Sequence, residues 1–224
     1  MPKRLRPTAP NASDAILVGD PGRALLLAQE LLTEPKMSNH ARGLWGYSGK
    51  TPKGHELTIQ ATGIGGPSAV LVLSDLVELG VRRVVRAGTC VGLTGDCQLG
   101  GLLAVEEAIA EDGGSASLGI PSGARVRPSA ELAQSLRTAL GAGGRAGVVA
   151  SFDLHPAGQA PTTVAVAADM QTAPLLAKAR SLDIAAAAVL IVIEMTKSEE
   201  RLETDPLAAA ERRAGRVAST ALSG

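Results

Sequence analysis

With 224 residues the chain can bury a full core, and 45% apolar against 20% charged residues excludes a disordered or fibrous protein. Basic and acidic residues number 22 each, so there is no net charge to support a broad basic surface for nucleic acid, although a local arginine cluster around a small anion is still allowed. Aromatic residues are 1% of the chain, so a flat ligand must be held by aliphatic walls and hydrogen bonds rather than by stacking.

The first residues, MPKRLRPTAP, are basic with no apolar stretch behind them and read as an irregular arm over 1–14, not as a signal peptide. AILVG, residues 15–19, predicts a strand, followed by a leucine-rich helix over 21–32. ELTIQATG predicts a strand over 56–63 ending in a glycine turn, and Val70, Leu73 and Val77 give helical spacing within 67–79. Strands follow at 81–88 (VRRVVRAG) and 101–110 (GLLAVEEAIA), then a helix near 129–140 and a strand at 146–151. TTVAVAA predicts a strand at 162–168, with a helix over 170–181, a long apolar strand at 184–194 and a last helix over 206–222.

Strands alternating with helices predict an α/β fold: a central, mostly parallel but mixed twisted sheet flanked by helices. No repeat and no boundary divides it, so a single domain over 1–224 is expected. DIAAAAVLIVIE is too short for a membrane span, and Cys90 and Cys97 make neither a disulfide framework nor a four-ligand zinc site. The expectation is a cytoplasmic protein with no membrane, nucleic-acid or metal partner.

Ligands of such sheets gather at the carboxyl ends of the strands. At the first, GDPGR, Asp20 suits an N-cap and Pro21 a first helical position, but neither role explains Arg23. An arginine in the first turn opposes the helix dipole, unless an anion at the helix start shares its charge. TGIGGPS is a second glycine turn entering a helix, with Ser68 as a hydroxyl. VVRAGTC places Arg86 at the end of an apolar strand, before Gly88 and Thr89, with no acidic neighbour in sequence. Three strand ends thus each join glycine to a group that can hold phosphate.

The order VGDPGR, TGIGGPS, LGVRRVVRAGT, DMQTA resembles the nucleoside phosphorylase family of the uridine and hexameric purine type, from about Ala15 onward. TGIGGPS with RAGT stands closer to the uridine branch. The resemblance implies reversible phosphorolysis of a ribonucleoside to ribose 1-phosphate and base, with inorganic phosphate as co-substrate and no cofactor. It makes Gly19, Arg23, Arg86 and Thr89 phosphate ligands, and Arg42 an arginine lent across a dimer interface. A dimer, or a hexamer built as a trimer of dimers, is implied with it. Asp169, Met170 and Gln171 fall on the family's ribose-binding segment, where Gln171 replaces an acid.

For the base, Gln159 matches the glutamine that binds uracil, while Pro161 replaces the arginine expected beside it. His155 falls where a ring packs against the nucleoside. Glu194 falls near the acid that protonates a purine, with Arg212 as its companion; an ordinary ion pair at a strand end is the plainer alternative for Glu194. No histidine precedes His40, and Gly43 replaces the glutamate of an intersubunit cation site. Uridine is narrowly favoured over a purine nucleoside. A catalytically weak binding protein and a hydrolytic nucleosidase stay open as other readings.

Overall fold

A computed structural model describes residues 4–156, 164–196 and 198–224. In chain order the elements are β1 (Asp14–Val18), α1 (Pro21–Leu31), β2 (Thr33–Asn39), β3 (Gly46–Lys50), β4 (Glu56–Ala61), α2 (Gly66–Glu78), β5 (Arg83–Gly92), β6 (Leu102–Glu111), α3 (Gly113–Ser117), β7 (Arg125–Val126), α4 (Ala130–Leu140), β8 (Arg145–Phe152), β9 (Ala167–Asp169), α5 (Thr172–Ser181), β10 (Ala185–Met195), β11 (Ser198–Arg201) and α6 (Thr204–Ser223). The strands form one sheet in the order β11-β10-β6-β8-β9-β5-β1-β4-β3-β2, with β7 on β6 and a further pairing of β10 with β5. The α/β architecture and mixed sheet are those expected from the alternation of apolar runs.

Side chains alternate across the sheet with the two-residue period of extended backbone. Ala15 and Leu17 of β1, and Ala186, Ala188 and Leu190 of β10, join one apolar layer with α2 and α5. Ile16 and Val18, with Ala187, Val189 and Ile191, join the opposite layer with α1, α4 and α6. The central strands are therefore buried on both faces and read as continuous apolar runs. The first described residues form no strand or helix; Asp75 holds them, accepting from the backbone of Arg4 at 2.6 Å and Leu5 at 2.9 Å.

Four strands of the sheet were not expected: β2, β3, β7 and β11. β2 has five exposed residues among its seven, and β3 carries two glycines, so neither shows the apolar pattern of a core strand. The expected strand at 162–168 is confined among the described residues to β9, and the expected helix at 170–181 starts two residues later, at Thr172.

The site is opened by the path of β5. Its first part pairs in parallel with β1 as far as Leu17 opposite Arg86, and only at Val91 does it take β9 on that flank. Its other flank runs along β10 throughout. Among the described residues the β1 side of β5 is unpaired between Arg86 and Val91, a topological switch point of the kind where α/β sheets hold ligands. β10 shifts register against β5 between Val192 and Glu194, which breaks the strict side-to-side alternation of the strand there.

Candidate active site

A cavity of about 430 Å³ opens at this switch point, within the range of small-molecule sites. Gly19, Arg23, Arg86, Thr89, His155, Asp169, Met170 and Gln171 all line it. Eight of the residues singled out in the sequence are thereby brought together.

The turn from β1 into α1 is fixed by its cap. Asp20 has extended backbone and its Oδ1 accepts from the Arg23 N–H at 2.9 Å. A Cβ on Gly22 would stand 2.9 Å from that same oxygen, so the cap requires the glycine. Arg23 is 9% exposed and its Nε donates to Glu211 Oε1 of α6 at 2.7 Å. Among the described residues its Nη groups have no hydrogen-bond partner, and the side chain lines the cavity.

Arg86 is 4% exposed, and its Nη2 donates to Asp169 Oδ2 at 2.8 Å. The guanidinium folds back over the strand: a Cβ on Gly88 would lie 1.7 Å from Arg86 Nη1, which explains the glycine. Asp169 is further held by the hydroxyls of Ser151 and Thr172, each at 2.6 Å. A buried ion pair is stable only when such extra bonds satisfy it. Even so, Arg86 Nε is buried without a partner among the described residues. Beside it, burial pushes the Cys90 thiol well above its ordinary range, so that wall is an inert, protonated one.

Gln171 is buried against the glycine turn. Its Nε2 donates to Gly63 O at 2.6 Å and Gly65 O at 3.1 Å, while Thr62 Oγ1 stands 3.4 Å from its Oε1. Gly63 and Gly65 have φ of +75° and +82°, and that left-handed backbone presents both carbonyls to one amide.

Toward the mouth, Glu194 Oε2 lies 3.3 Å from Arg201 Nη2 and 3.7 Å from His155 Nε2. Arg201 and His155 line the cavity; Glu194 meets it through them. Arg212 is not brought to Glu194: its Nε pairs with Glu30 of α1 at 3.6 Å, and Arg201 holds the acid instead. Arg42 is exposed, at φ +60°, and does not line this chain's cavity. Gln159 lies outside the described residues. The sequence reading missed Glu211, Ser151, Thr172 and Arg201: Glu211 and Ser151 act through contacts 188 and 18 residues away, whereas Thr172 and Arg201 hold acids close by in the chain, Asp169 and Glu194. Among the described residues no cluster of three or more His, Cys, Asp or Glu could hold a metal ion, and no helix is long and apolar enough to cross a membrane.

A family model described as the phosphorylase superfamily matches residues 13–223. The chain belongs to the phosphorylase superfamily. Over 86 residues it is 40% identical to a "Purine nucleoside phosphorylase DeoD-type" of Oceanobacillus iheyensis, covering 38% of this chain and 36% of that one. It is 38% identical over 89 residues to a protein of the same name from Clostridium novyi, covering 39% and 38%. The matched stretch thus spans little more than a third of the length of these relatives. The fold is shared with a uridine phosphorylase from Vibrio fischeri, at a TM-score of 0.82 and 24% identity, over 95% of this chain and 92% of the other. In this cavity Arg23 and Arg86 are buried, whereas His155 and Arg201, which meet Glu194, are exposed.

Proposed function

We propose that the chain is a nucleoside phosphorylase, cleaving the N-glycosidic bond of a nucleoside with inorganic phosphate to give pentose 1-phosphate and free base. One observation carries the reading: two buried arginines, Arg23 and Arg86, line the same cavity, and among the described residues each keeps N–H donors unspent after meeting its carboxylate. Glu211 and Asp169 hold the guanidinium planes in place, so the site need not reorganise when a dianion arrives. The N-terminus of α1 and the Thr89 hydroxyl add donors suited to phosphate.

In the reaction a phosphate oxygen forms a bond to C1′ as the C1′–N bond breaks, and the base leaves with the electron pair. Positioning the nucleophile and neutralising the departing charge are the protein's two tasks. Arg23, Arg86 and Thr89 serve the first. Glu194, with Arg201 and His155 around it, serves the second. The relatives' printed names support a purine as the base, which shifts the narrow preference for uridine read from the sequence. Uridine is the second reading, supported by the resemblance of TGIGGPS and RAGT.

Self-association belongs to the same proposal. Arg42 is exposed, on a left-handed backbone away from its own cavity, a placement suited to completing a neighbour's phosphate site. Mixing Arg42→Ala with Arg23→Ala chains should restore activity, because one site of each mixed dimer regains both arginines. No recovery in demonstrably mixed dimers would remove Arg42 from the site. The reaction itself is tested by base release from inosine, adenosine and uridine with and without phosphate. Equal rates in phosphate-free buffer would reject phosphorolysis.

A further inference from the structure

Residues 40–45 join β2 to β3 and carry Arg42 at a φ of +60°. A residue other than glycine persists in that left-handed region only where its surroundings over-determine it. Here they do so from the sheet beneath. Asn39 of β2 pairs with Gly46 of β3, and Gly46 with Gln60 of β4, so the three form one row across the sheet and face the same side. Gly46 leaves the middle of that row empty, since a Cβ there would overlap the Gln60 amide.

Two amides therefore meet over Gly46, and both grip the loop. Gln60 Nε2 donates to Leu44 O at 2.8 Å and to Ala61 O at 2.9 Å. Asn39 Nδ2 donates to Leu44 O and, at 3.4 Å, to Ala41 O. Ala41 O also accepts from the Leu44 N–H at 3.1 Å, which closes the turn around Arg42. Neither amide can turn over: Leu44 O and Ala61 O only accept, and Asn39 Oδ1 is taken by the Arg6 N–H at 2.8 Å. Asn39 and Gln60 are 2% and 1% exposed, and amides so deeply buried are costly unless bonded. What they add in return is a fixed path for residues 41–44.

We infer that Gln60 and Asn39 are positioning residues for Arg42, so that the amide pair of one subunit acts on the phosphate site of its neighbour rather than on its own. The inference rests on the reading that Arg42 completes a neighbouring site, and it names what holds the arginine in place. The competing role is local: Gln60 lies on the strand that leads into the 63–65 turn, which lines its own chain's cavity.

Gln60→Met keeps the length of the side chain and removes its donors. The KM for phosphate should rise about tenfold and the KM for nucleoside by less than about twofold, because a displaced Arg42 loses bonds to the dianion alone. Added to Arg42→Ala, the same change should cost less than about twofold more, since no guanidinium is left to position. The deciding measurement is a mixture with Arg23→Ala chains. In demonstrably mixed dimers, the site that keeps Arg23 receives Arg42 from a partner whose Gln60 is intact, and its phosphate KM should return to within about twofold of wild type. A phosphate KM that stays raised there places the action of Gln60 within its own subunit and overturns the inference. So does a folded Gln60→Met with an unmoved phosphate KM where Arg42→Ala raises it. Arg42→Ala with an unmoved phosphate KM removes Arg42 from the site, and the reading and the inference then fall together. Should Gln60→Met fail to fold, Asn39→Ala gives up one of the two amides on Leu44 O; its phosphate KM should rise about threefold and be restored in the same mixture. If no nucleoside is cleaved, calorimetric affinity for inorganic phosphate replaces KM in each comparison, and no binding of phosphate overturns the inference.

Discussion

Arg23, in the first turn of α1, and Arg86, within β5 where its pairing with β1 stops, are nine-tenths or more buried, each braced by a carboxylate from another element. His155 and Arg201 line the same cavity with side chains 50% and 67% exposed, meeting at Glu194. The first arrangement is costly to assemble and costly to disturb, because each charge lies where water cannot replace its partner. The second is cheap in both respects, since exposed ion pairs contribute about 0–1 kcal/mol. Phosphate, the same in every turnover, would meet the rigid end, and the base, which varies, the adaptable one.

The largest expected effect lies at the rigid end. Arg86→Ala strands a buried Asp169, and should cost about 3–5 kcal/mol of stability as well as phosphate use. Adding Asp169→Asn should recover much of the melting temperature and none of the activity. Unchanged stability and phosphate KM in Arg86→Ala would erase the distinction between the two ends.

At the exposed end the effect should be smaller and confined to chemistry. Arg201→Ala is expected to shift the melting temperature little, because an exposed pair contributes about 0–1 kcal/mol. It should lower kcat for purine nucleosides about tenfold while leaving phosphate KM unchanged. Arg212→Ala separates the two arginines. A larger loss there than in Arg201→Ala would return Arg212 to the role expected from sequence.

The smallest effect is a test of burial without pairing. Asp112 caps α3 through the Ser115 N–H at 2.6 Å, while its Oδ2 is buried with no partner among the described residues. Burial raises its pKa above the ordinary aspartate range. A carboxyl group raised in this way binds its proton more tightly folded than unfolded. Its contribution to stability is therefore lost as pH climbs from the unfolded pKa, about 3.9, toward the folded one. Asp112→Asn keeps a capping oxygen and removes that penalty. Its melting temperature relative to wild type should rise from about pH 4 upward. A difference that stays flat with pH would show that Asp112 carries no such burial cost.

The same contrast explains what could be read in the sequence. Arg23, Arg86 and Thr89 were legible because strand-end arginines beside glycines break the local rules of dipole and burial, and a ligand mends them. Gly88 and Gly22 were visible as glycines, but their reasons, the Arg86 guanidinium and the Asp20 cap, are three-dimensional. The pairing of Arg23 with Glu211 spans 188 residues, and no local pattern announces it. β2 escaped notice because TEPKMSN is an exposed edge whose pairing is made by backbone alone. Gln171 was legible as a departure from an acid, whereas its grip on the 63–65 turn was not.

The double pairing of β5 also has a consequence in time. β10 contacts β5 from Ala185 opposite Arg83 to Met195 opposite Gly92, closing the circuit β5-β10-β6-β8-β9 across a long stretch of intervening chain. Pairings that distant are slow to form, since the loop must be closed before any contact offsets its entropy. On a ribosome, Arg86 would emerge well before Asp169 and β10, and would wait as an unpartnered charge beside an open strand edge. The chain is then exposed to mispairing during synthesis, and the cavity comes into being only as the last strands arrive.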